Sequence, residues 1–165
     1  MSGAVAEVIA PLAVVVDLNT RLFLNSIDGL DDAHAAMRPN QHTNSVAFIA
    51  GHLVETRAWM GRYVGADTPA PFGGVLEHAT SFDAVGVFPA LAEIRRAWQA
   101  TSDRVWARLQ TMRVADLGAA SSQRFPGVPA TILGGIAFLV QHESYHVGQL
   151  AYLRKYLGLP SMSYR

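Results

Sequence analysis

Residues 131–160, TILGGIAFLVQHESYHVGQLAYLRKYLGLP, decide the fold class. Ile132, Ile136, Leu139, Glu143, His146, Leu150, Leu153 and Leu157 follow one another at alternating steps of four and three residues. That spacing keeps them on one side of an α-helix. The helix is expected from Thr131 to Leu157, and Gly158 and Pro160 end it.

Working outward, three more segments carry the same period. Pro11–Ile27 opens with a proline suited to a first turn and closes at Asp28 and Gly29. Val46–Val64 has Asn44 or Ser45 available as cap, and a stripe of Val46, Ile49, Leu53, Met60 and Val64. Pro89–Met112 carries Leu91, Ile94, Trp98, Val105, Leu109 and Met112. No run of comparable length alternates with period two, so the chain is expected to be all-α. Four helices with apolar seams of similar length predict a four-helix bundle. The link Gly65–Phe88, rich in Gly and Pro, is longer than the usual ~2–8 residues between antiparallel neighbours. It can cross the whole bundle, which predicts an up-down-down-up order with a long crossover between the second and third of these helices. The Arg113–Ala130 link has room for a short helical turn.

Composition narrows the possibilities. The 165 residues suit one domain, taken as 1–165, with 50% hydrophobic and only 16% charged residues. Thirteen basic residues balance thirteen acidic ones, so no basic excess is available to neutralise nucleic-acid phosphates. The longest apolar runs, Ile9–Val16 and Thr131–Val140, fall far short of the ~20 residues that span a bilayer. The N-terminal MSGAVAEV lacks the Lys or Arg of a signal peptide and carries Glu7, so a cytoplasmic protein is expected. The chain has no cysteine, which excludes disulfides, thiolate catalysis by the chain itself and sulfur-ligated zinc.

The fourth segment places polar groups inside its apolar seam. At about 100° per residue, with Leu150 and Ile132 near zero, His146 lies about 40° to one side, His142 about 80° to that side and Glu143 about 20° to the other. All three face the bundle, and buried polar groups need a partner or a ligand. His142 and His146, four apart, can reach one metal ion. His52, mid-helix on the border of the Ile49/Leu53 stripe, is the natural third. His52, His142 and His146 then form a three-histidine site with an open position, suited to Zn, Ni or Fe(II). The pentad also matches H-E-x-x-H, the zinc-protease helix. No acidic residue follows Glu143, and Gln149 and Tyr152 stand where the metzincin extension needs Gly and His. A ferritin-like dimetal site needs two Glu-x-x-His motifs, and only Glu143 with His146 is present.

Several neighbours extend the candidate site. Gln149, one turn beyond His146, is placed to hydrogen-bond a ligand imidazole or a bound substrate. Glu143 has two readings, a general base at the metal or a hydrogen-bond partner of its ligands, and an ion pair with an inward Arg such as Arg57 or Arg21. Glu55, three residues after His52, can share its face, although a place at the surface is the expectation, and Trp59, Trp98 and Trp106 are expected in packing. His34, His42 and His78 fall in links and are expected to be solvated, although the link bearing His78 is long enough to fold over the metal.

NSVAFIAGHLVETRAWM (44–60), its RPNQHTNS lead (38–45) and QHESYHVGQLAYLRKYLGLP (141–160) together resemble the DinB/YfiT-like superfamily of metalloenzymes. The likeness covers nearly the whole chain. It implies a four-helix bundle with a long crossover and a divalent metal centre on three histidines. Its relatives include thiol-cofactor transferases and isomerases. The resemblance also implies a homodimer. The expected function is therefore a metal-dependent hydrolase or thiol/group transferase acting on a small molecule, with a thiol cofactor as a candidate partner and neither nucleic acid nor membrane. The alternative is a non-catalytic bundle or small-ligand binder whose metal only stabilises the fold.

Overall fold

Two of the long helices begin where a side chain satisfies one of their first free amides. Ser45 Oγ accepts from Phe48 N–H at 3.1 Å, and Thr131 Oγ1 accepts from Gly134 N–H at 3.1 Å. In the computed structural model, which describes residues 7–79, 83 and 85–164, these caps open α3 (Val46–Tyr63) and α6 (Ile132–Tyr156). The other helices are α1 (Ala10–Ser26), α2 (Asp32–Ala36), α4 (Leu91–Leu109) and α5 (Val114–Gly118). Among the described residues the structure is all-helical apart from one isolated bridge between Ala120 and Thr131.

The four long helices coincide with the four periodic segments to within a few residues. The largest difference is α4, which starts at Leu91 and ends at Leu109 instead of running from Pro89 to Met112. Ala90 is extended at ψ 148°, and Asp32 Oδ1, from α2, accepts Leu91 N–H at 2.7 Å, so the first turn is capped from another helix. Helix α2 itself lies in a stretch expected as a link. It is too short to show a period, and Asp31 caps it through His34 N–H at 2.7 Å. Helix α5 is the short turn expected between Arg113 and Ala130.

Helix α3 packs against α4 and α6, and α1 packs against the same two helices. Apolar side chains collect in two clusters. One joins Phe23 and Ile27 at the end of α1, Phe48 and Leu53 early in α3, Leu91 and Trp98 early in α4, and Leu150 and Leu153 late in α6. The other joins Ile9 and Val16, Met60 and Val64, Val105 and Leu109, and Ile136 and Leu139. The first half of α1 thus shares a core with the second halves of α3 and α4 and the first half of α6.

A polar layer joins the four helices. Arg57 and Glu143, both buried, form a two-pronged ion pair, with Arg57 Nη2 on Glu143 Oε2 at 2.7 Å and Arg57 Nε on Oε1. Arg57 Nη1 also donates to Thr20 Oγ1 at 3.1 Å and Ser102 Oγ at 3.2 Å. Its guanidinium lies 4.3 Å from the ring centroid of Trp98, which stacks on Phe23. One residue on α3 is thereby tied to α1, α4 and α6. Among the described residues no helix is long and apolar enough to cross a membrane.

Candidate metal centre

His142 and His146 stand one turn apart on α6, and His52 faces them from α3. The Nε2 atoms of His52 and His142 are 3.4 Å apart, and those of His142 and His146 are 3.1 Å apart. One ligand atom from each of the three histidines lies within 4.8 Å of the others. Zinc–imidazole bonds of about 2.1 Å at tetrahedral angles place ligand nitrogens about 3.4 Å apart, so the observed spacing fits a shared ion.

The remaining ring nitrogens decide which way the lone pairs point. His52 Nδ1 donates to the carbonyl of Leu76 at 2.7 Å, and His146 Nδ1 donates to Gln149 Oε1 at 2.7 Å. Gln149 Nε2 in turn donates to Tyr145 Oη at 3.1 Å. With their protons on Nδ1, His52 and His146 both present bare Nε2 atoms to His142. His142 has one ring proton, so hydrogen bonding leaves at least one of these lone pairs unserved. Its own Nδ1 is buried and without a hydrogen-bond partner among the described residues. A single cation accepts all three Nε2 lone pairs, so the residues present fit a divalent metal.

Electrostatics favour the neutral, ligating form. Burial lowers the pKa of His52 and of His146. Burial, reinforced by the nearby His146 and His52, pushes His142 down to about 4. All three are neutral at pH 7, as metal ligation requires.

His52 and His142 open onto a cleft of about 430 Å³. Trp59, Phe125 and Phe138 form its apolar wall, with Phe125 edge-on to Trp59 at 5.7 Å and stacked on Phe138 at 4.9 Å. Glu77 and His78, from the crossover, line the same cleft. The link bearing His78 therefore does fold over this region, with the His78 side chain largely exposed and outside the three-histidine group.

Residues 16–150 match the family model of the DinB superfamily. The chain belongs to the DinB superfamily. A crystal structure of a conserved protein from Enterococcus faecalis is similar to this DinB protein in fold, with a TM-score of 0.68. The two are 14% identical over 90% of this chain and 96% of the other. No curated protein matches the sequence.

The structure brings His52, His142, His146 and Gln149 together. It places Glu143 in the ion pair with Arg57, where both carboxylate oxygens are engaged. Glu55 corrects the expectation of a surface residue, because it is fully buried. Its carboxylate accepts backbone N–H groups from Phe72, Gly74, Leu76 and Glu77. The signal for it was available in α3, whose run VAFIAGHLVETRAWM is apolar on nearly every face and leaves little surface for a glutamate to occupy.

Proposed function

We propose that this DinB-superfamily protein is a metal-dependent enzyme that holds one divalent ion on His52, His142 and His146 and acts on a small molecule. The observation that carries this reading is the convergence of three Nε2 atoms, two with their tautomers set by Leu76 O and Gln149 Oε1, beside a cleft. Three imidazoles suit Zn, Ni or Fe(II). When bound, such an ion supplies Lewis acidity to an oxygen or sulfur of the ligand, which serves hydrolysis or group transfer. The chain has no cysteine, so a reacting thiol would arrive with a substrate or thiol cofactor. The aromatic wall suits an apolar body. No Lys or Arg is among the described lining residues, which disfavours a multiply anionic substrate. In this reading Gln149 fixes His146, and Glu143 holds α6 through Arg57.

The same reading takes the chain as one domain, an up-down-down-up four-helix bundle with residues 65–88 as the crossover. The pairing of helix ends in the two core clusters supports that order. It also takes the protein as a cytoplasmic homodimer.

The test is metal loading of tag-free protein with Zn, Ni and Fe(II), followed by dialysis and elemental analysis. One ion per chain is expected, with a melting temperature that falls on chelation. His146→Ala should lose most of the affinity. Failure of all three metals to remain bound refutes the site. Turnover on esterase, amidase and thiol-transfer panels then separates an enzyme from a bundle that its metal merely stabilises.

A further inference from the structure

Glu55 lies on α3 nearly one turn beyond His52, and its side chain is fully buried. Its partners are backbone amides. Oε1 accepts from Phe72 N–H at 3.1 Å and Gly74 N–H at 2.7 Å, and Oε2 accepts from Leu76 N–H at 2.6 Å and Glu77 N–H at 2.8 Å. Convergent amides of this kind form an anion-binding concavity. The turn that builds it passes through Gly73 at φ +73° and Gly74 at φ +80°, a conformation that favours glycine. The anion it holds is the chain's own carboxylate.

One of these bonds bears directly on the metal centre. The N–H of Glu77 and the C=O of Leu76 belong to the same peptide group. Its N–H is held by Glu55 Oε2, and its C=O accepts His52 Nδ1–H at 2.7 Å. A trans peptide directs these two groups to opposite sides, so fixing one aims the other. Carboxylate, peptide group and imidazole therefore stand in series, ending at His52 Nε2. Groups that bond the far nitrogen of a metal-ligating histidine set its tautomer and its basicity.

We propose that Glu55 is a positioning residue of the metal centre, acting through the Leu76–Glu77 peptide group to hold His52 with its proton on Nδ1 and its Nε2 lone pair toward the ion. This rests on the three-histidine reading above. It makes the crossover a working part of the site, because the segment that spans the bundle also carries the acceptor for a ligand.

Glu55→Gln tests it. The glutamine keeps the volume but turns an NH₂ toward two amide donors. In metal-free protein, ¹⁵N NMR of the histidine rings should show His52 changing from the Nδ1–H form to a tautomer mixture. His146, fixed independently by Gln149, should keep its form, which general loosening of the fold would not permit. Zinc affinity should fall about 10–100-fold. Gly74→Val reaches the same amides from the surface, since nothing lies within 4 Å of its new Cβ, and it should reproduce both effects. If Glu55→Gln does not fold, Gly74→Val decides by the same readings. A folded variant with the wild-type His52 tautomer and zinc affinity within twofold overturns the proposal. If the wild-type chain holds no zinc, the metal reading fails, while the tautomer comparison still decides the role of Glu55.

Discussion

Replacing Arg57 by alanine should cost far more than the loss of one side chain. Arg57 is fully buried and answers both oxygens of Glu143, which is itself only 2% exposed. Without the guanidinium, the carboxylate stays in the core with neither a cation nor bulk water. Breaking a buried pair in this way costs about 3–5 kcal/mol, chiefly through the partner left behind. The bonds to Thr20 and Ser102 and the contact with Trp98 are lost as well. For a chain of this length, about 2–4 °C of melting temperature goes with each kcal/mol, so Arg57→Ala should melt about 6–20 °C lower. The double variant Arg57→Met with Glu143→Leu removes both charges while retaining volume, and it should recover most of the loss. Thermal and urea melts of Arg57→Met, Glu143→Leu and the double variant close the cycle. A coupling energy below about 0.5 kcal/mol, the scatter expected of independent sites, would refute the pairing. The same set addresses Glu143. In the double variant the three histidines remain, so zinc binding within a few-fold of wild type is expected if Glu143 acts only through Arg57.

Two further perturbations follow from local geometry. All three histidines have folded-state pKa values lowered by burial, that of His142 to about 4, so the unfolded chain binds more protons than the metal-free fold between about pH 6.5 and pH 4. Their contribution to stability is complete above pH 6.5 and shrinks as the pH falls through that window. Urea midpoints at pH 7.5, 5.5 and 4.5 should decrease, and His142→Gln should flatten the slope, whereas equal slopes for variant and wild type would count against it. Gly51→Ala places a Cβ 2.5 Å from Leu76 Cδ1, so the Leu76 side chain must move or α3 and the crossover must shift apart. Overpacking of this kind costs about 1–3 kcal/mol, and zinc affinity should weaken with it because Leu76 carries the His52 acceptor; a folded Gly51→Ala with wild-type affinity would separate the two.

The parts of the site legible in the sequence are those set within single helices. His142, His146 and Gln149 repeat along α6 at steps of four and three, and local helical geometry alone brings them to one side. The wheel also turned Glu143 inward, but it offered Arg57 and Arg21 equally, because choosing between them requires knowing which helix packs there. Arg21 is exposed and pairs with Asp17 on its own helix, which leaves Arg57 for the core. Glu55 was misjudged for a more general reason. A helical wheel assumes one buried face and one wet face. Helix α3 has α4 and α6 against it and the crossover laid over it, so Glu55 and Arg57 are both buried. Their partners come from residues 17–22 and 86 positions away along the chain, contacts that no local period encodes. The two charges have answers of different kinds. Arg57 meets a carboxylate on another helix and ties the bundle together, while Glu55 meets peptide amides and shapes a loop. The length of the crossover was legible as a topological requirement, but its conformation was not. That conformation depends on the one carboxylate that reading by face assigned to solvent, and the aim of His52 depends on it in turn.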